Sequence, residues 1–119
     1  MANKGLFKDE EIGKFNPEEI VFYKNGDEIV RVNQDNQSLW PDSALYAIVK
    51  YQPMVGVGQS VFILAPGGKV WTTSRVQEIR RGENYLEYQT RNSVYKVEYI
   101  GAKLEDLATG PSEKQKASE

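Results

Sequence analysis

The 119-residue chain contains no cysteine and no histidine. The first gap excludes a disulfide framework and thiolate chemistry, and the two together remove the usual ligands of zinc, iron and copper. They also remove Ser/His and Cys/His pairs. A serine with a lysine, such as Ser60 or Ser74 with Lys69, has no surrounding motif to make it a nucleophile. No acid lies in an apolar context that would clearly raise its pKa, so a metal-independent enzyme is the least favoured class and no cofactor is expected. Phosphate and calcium loops are missing as well. In "PGGK" the lysine is followed by Val70 where a Walker loop needs Ser or Thr, and "KDEE", "NPEE" and "GDE" lack calcium-loop spacing. No apolar run approaches the roughly 20 residues of a membrane helix, and "MANKGLFKDEE" lacks the apolar stretch of a secretory signal. The expected location is the cytoplasm.

What is present suits one small globular domain, with 39% hydrophobic and 27% charged residues. The expected organisation is an N-terminal segment over 1–19, a single β domain over 20–108 and a disordered polar tail over 109–119. The net charge of -2 gives no global field that would recruit a polyanion. Charge is nevertheless uneven: residues 1–68 hold six Lys or Arg and nine Asp or Glu, whereas residues 69–103 hold seven and four.

Leu6, Phe7, Ile12 and Phe15 have the spacing of a short amphipathic helix, interrupted by Gly5 and Gly13. Asn16, Pro17, Glu18 and Glu19 have the form of a helix start, about one turn long. "EIVFYKNGDEIVRVN" predicts a hairpin, because Asn25-Gly26 supplies the positive φ angles of a two-residue turn. "QDNQSLWPDS" reads as loop. "ALYAIVKYQ" is either a two-turn helix capped by Asp42 or Ser43 or a buried strand. From Gly56, "GVGQSVFILA", "VWTTSRVQEI", "YLEYQT" and "SVYKVEYI" read as four strands of a meander, joined by "PGGK", "RRGEN" and Arg91-Asn92. "AKLEDLA" forms a helical turn or two. The expected fold is mainly β, a small antiparallel SH3-like barrel or bent sheet with one or two short helices.

The turns set a register in which Ser74 faces Thr90 and Thr90 faces Ser93, making a row of hydroxyls across three strands. Val76, Tyr88, Tyr95, Leu86 and Val97 share that face. Trp71, Thr73, Arg75, Gln77, Tyr85, Glu87, Gln89, Arg91 and Lys96 fall on the other. Two readings follow. The row finishes one end of the core, as Ser and Thr pairs often do, or it forms with Arg75, Arg91 and Asn92 a donor-rich site for a carboxylate, a phosphate or a backbone group. Trp71, Tyr85, Tyr88, Tyr95 and Tyr99 also alternate with Arg75, Arg80, Arg81, Arg91 and Lys96, a mixture that stacks bases in small barrels.

Over residues 56–100, Thr73, Ser74, Val76, Thr90, Asn92, Ser93 and Tyr95 carry a Thr-Ser-x-Val strand followed by a Thr-x-Asn-Ser-x-Tyr hairpin. This pattern resembles small, uncharacterised bacterial or phage-encoded β proteins. The resemblance implies a β fold and brings no activity. The functional expectation is a non-catalytic binding module that engages a protein partner or a small anionic ligand through Arg75, Arg91, Ser74, Thr90, Asn92, Ser93, Trp71 and Tyr85. The alternative is a nucleic-acid-binding small barrel.

Overall fold

The computed structural model describes residues 15–106. The amphipathic helix expected before Phe15 and the tail over 109–119 lie outside the described residues. Within them the protein is mainly β, as expected. Strands β1 (Glu19–Lys24), β2 (Asp27–Val32), β5 (Glu78–Arg81), β6 (Tyr85–Gln89) and β7 (Val94–Ile100) form an antiparallel sheet in the order β2-β1-β7-β6-β5. Strands β3 (Phe62–Ala65) and β4 (Lys69–Thr72) form a separate hairpin. Since β2 and β5 end the larger sheet without pairing to each other, the architecture is open and no barrel closes.

Local chemistry accounts for most of these elements. Asn25 and Gly26 adopt φ of 53° and 90°, as a tight hairpin requires. The ladder that follows carries a bulge at Phe22/Tyr23. The helix start expected at Asn16 does not form. Residues 15–17 are irregular and β1 begins at Glu19, with the Glu18 N–H donating to Ile100 O. The nearby β pairing outcompetes one isolated helical turn, which is costly to nucleate.

The ambiguous segment around Ile48 is helical. It runs as α1 (Asp42–Tyr46), a π turn over Ala47–Tyr51 and a 3₁₀ turn over Gln52–Met54. Leu45, Ile48 and Val49 recur at helical spacing and are fully buried. Pro41 occupies the N-cap, and neither Asp42 nor Ser43 caps the helix with its side chain. The inner face of the sheet, with Ile20, Phe22, Leu86, Tyr88, Val97 and Tyr99, packs with this helix and with Val61, Ile63 and Leu64 in one core. Polar bonds fix the contact. Tyr99 Oη donates to Ile48 O at 3.2 Å and Tyr88 Oη to Gln52 O at 2.9 Å. Arg81 donates to Pro53 O at 2.6 Å. These bonds tie the sheet to carbonyls of the π turn and the helix end, of which Gln52 O also accepts the Val55 N–H at 3.0 Å.

The segment "VWTTSRVQEI" is not one strand. It pairs with β3 as far as Thr72, crosses irregularly through residues 73–77, and enters the other sheet at Glu78. Val76 anchors the crossing, since its N–H donates to Gln59 O and its carbonyl accepts from Gly58 N.

The β3–β4 turn holds Gly67 and Gly68, with φ of +80° and +78°. A Cβ at Gly67 would meet open space, but one at Gly68 would lie 2.5 Å from Leu39 O. Gly67→Ala is therefore expected to cost only the left-handed backbone penalty, about 1–2 kcal/mol. Gly68→Ala should cost at least about 1 kcal/mol more, because backbone blocks the added methyl. Urea midpoints of the two variants provide the comparison, and equal losses would contradict the close approach.

Candidate binding surface at the sheet end and the β4 edge

The outer face of the sheet is a closed polar network. Register places Glu28, Tyr23, Lys96, Glu87 and Arg80 in one row across five strands. The Lys96 ammonium lies 5.3 Å from the Tyr23 ring centre and 4.7 Å from that of Tyr85. Tyr23 Oη donates to Glu98 at 3.1 Å. Partial burial and this carboxylate raise the phenol's pKa. Arg80 pairs with Glu78 at 3.1 Å and approaches Glu87 at 3.9 Å, so its charged form is favoured. Arg31 pairs with both Glu19 and Glu28. A cleft of about 150 Å³ here is lined by Glu78, Arg80, Glu87, Gln89 and Val94. The predicted site residue Tyr85 is thus engaged with Lys96, away from the other predicted members.

At the end of the sheet, half of the expected hydroxyl row exists. Thr90 faces Ser93, with Thr90 N and Oγ1 donating to Ser93 O at 2.8 and 3.1 Å. Tyr88 faces Tyr95, and Leu86 faces Val97, as the register required. Ser74 is not part of the row. The β5–β6 turn is the two-residue Glu83-Asn84, closed by Gly82 N to Tyr85 O, so Ile79 rather than Val76 faces Tyr88. Ser74 belongs to the irregular crossing and is exposed, while Thr73, expected on the polar face, is buried. Thr73 Oγ1 accepts the Val61 N–H at 3.1 Å and donates to Ser74 O at 2.7 Å. It continues the β3–β4 ladder by side chain.

Arg91 and Asn92 occupy the β6–β7 turn, exposed beside the Asn25-Gly26 turn. The two turns are tied by Asn25 N to Val94 O and Val94 N to Asn25 Oδ1. Lys24 faces Tyr95 in this same end, and its ammonium lies 5.9 Å from both the Tyr95 and Trp71 ring centres. Trp71 therefore joins the sheet end through Lys24. None of Lys24, Lys69, Arg75 and Arg91 forms an ion pair with another described residue. No acidic side chain among the described residues neutralises this group by direct pairing.

Strand β4 adds an apolar component. All four of its residues are exposed, with Val70 at 37% and Trp71 at 42%, and Phe62 across the ladder is 43% exposed. Thr73 N donates to Val61 O, which makes 61/73 a hydrogen-bonded pair. Alternation then makes 63/71 and 65/69 bonded pairs and leaves 62/72 and 64/70 as non-bonded ones. The backbone groups of Phe62 consequently face outward on β3, where the Gln52 side chain meets them: Nε2 donates to Phe62 O at 2.8 Å and Oε1 accepts from Phe62 N at 3.4 Å. Those of Val70 and Thr72 face outward on β4, with no backbone bond to described residues beyond their own hairpin. On the β3 edge Gln52 bonds Phe62 and Leu64 is fully buried, whereas Val70 and Thr72 on the β4 edge are exposed. Phe62, Val70 and Lys24 were not singled out from sequence. Two consecutive apolar residues in a strand as short as "KVWT" were the available signal, since both faces of that strand then present apolar side chains. Comparisons of the chain with protein-family models, curated proteins and solved structures returned no match.

Proposed function

We propose that this chain is a non-catalytic binding module and that its partner is a protein. The supporting observation is β4, an exposed strand with an open backbone edge, Val70 and Trp71 accessible, and Phe62 across from it. Exposed apolar side chains beside unpaired backbone groups are the materials of strand-based protein recognition. A small-anion site has less to rest on, because Ser74 does not join Thr90 and Ser93. Nucleic-acid binding also has less, because Lys96, Tyr85 and Arg80 are engaged within the outer-face network.

Affinity capture from the native host, with eluates analysed for protein and nucleic acid, tests this reading. A protein should be recovered, and a Val70→Ser, Trp71→Ala variant should retain about tenfold less while its Tm falls by only a few degrees. Recovery of nucleic acid alone, with binding that falls steeply as salt rises, would overturn it.

A further inference from the structure

We infer that the partner's contacting segment is an extended, acidic peptide that pairs as an added strand with the open edge of β4. This inference rests on the binding-module reading and specifies its ligand. Three features carry it. Val70 and Thr72 present N–H and C=O groups outward in regular alternation, the pattern a guest strand pairs with. Trp71 and Val70 offer apolar contacts on opposite faces of β4, so a guest with apolar residues at alternate positions gains burial. The cations are the third feature. Lys69 lies on the strand, Lys24 lies over Trp71, and Arg75 is exposed three residues beyond the strand's end.

That charge selects among guests. A second copy of the same edge would bring Lys69 and Lys24 toward like charges, which disfavours self-pairing. A peptide with acids flanking its strand would instead supply the carboxylates that these cations lack among the described residues. Arg75 then acts as an acid-attracting margin beyond the end of the edge.

The test is selection of a random dodecapeptide display library against the full chain, followed by titration of the synthesised winners into the isotopically labelled protein. The expected winners are rich in Asp and Glu with apolar residues at alternate positions, and amide shifts should concentrate in 69–75. Val70→Pro removes an outward N–H without touching the β3 ladder, so it should weaken binding about tenfold or more with the fold intact by amide spectrum. Thr72→Pro, which removes the other outward N–H, serves where Val70→Pro fails to fold. Lys69→Glu, Arg75→Glu should weaken the same peptides and leave Tm nearly unchanged. Winners whose shifts map to the outer face around Lys96 would overturn the edge proposal and leave the binding-module reading standing. So would sedimentation showing that wild type is a dimer and Val70→Pro a monomer. If no peptide is enriched and host capture yields no protein, both fail together.

Discussion

Gln52→Ala is expected to lower the free energy of unfolding by about 3 kcal/mol, a large effect for a polar residue. The Gln52 side chain is 2% exposed and bonds both backbone groups of Phe62. The 2.8 Å bond to the carbonyl is the stronger. Its loss leaves an acceptor without a donor, which costs about 1–3 kcal/mol. The volume left by the amide adds a cavity cost of similar order. Gln52→Met restores most of the volume and neither bond, and should recover only the cavity part. Gln52→Glu keeps the shape but sets a carboxylate against the Phe62 carbonyl. It should be more damaging at pH 7 than at a pH low enough to protonate the acid, since only the protonated group can donate. Urea unfolding of the three variants measures this. A loss below about 1 kcal/mol for Gln52→Ala would show that Phe62 is supplied by water.

Alkaline pH should unfold the protein steeply through Tyr88 and Tyr99. Both phenols are fully buried. Burial pushes each pKa above tyrosine's ordinary value, with Arg81 opposing the shift slightly. Above about pH 10 the unfolded chain releases these protons while the folded chain retains them, so folding stability falls as pH rises. Below about pH 10 both states hold the protons and the full contribution is present. Each tyrosine contributes a slope of up to about 1.4 kcal/mol per pH unit, and the two together about 2.7. Urea midpoints on both sides of pH 10 should show the decline, and Tyr88→Phe and Tyr99→Phe should each flatten it. At neutral pH each Phe variant should cost about 1–2 kcal/mol, because Gln52 O or Ile48 O loses its hydroxyl donor. An unchanged slope in Tyr99→Phe would contradict the assignment, since lysine titration is common to all variants.

The parts legible in sequence were those whose cause is local. Asn25-Gly26 dictates its own turn, and the alternation from Tyr85 to Ile100, with Arg91-Asn92 between, sets the true pairing of β6 with β7. The helix from Asp42 could not be separated from a strand because its short apolar run serves either, and burial against Tyr88 and Tyr99 decides the matter. The misplacement of Ser74 has a different origin. Alternation from Val70 to Ile79 reports extended backbone but does not report which strand lies alongside, and here the neighbour changes from β3 to β6. Treating "RRGEN" as a whole turn also displaced the register, because Arg80 and Arg81 belong to β5. Trp71 was identified as a surface residue, but the backbone opening beside it depends on hydrogen-bond phase, which residue types do not encode.

The coverage of β3 by Gln52 also limits what kind of assembly the hairpin can join. A two-stranded unit with both flanks free can accept a strand on each side and repeat the addition without end, the geometry from which fibrils grow. Here one flank is closed, Phe62 by the Gln52 side chain and Leu64 by burial. The bulge at Phe22/Tyr23 interrupts the ladder beside β2, and charged Glu78, Arg80 and Arg81 line the edge at β5. A guest strand added at β4, as inferred above, would meet no second open end on the β3 side of the hairpin among the described residues from which a filament could continue.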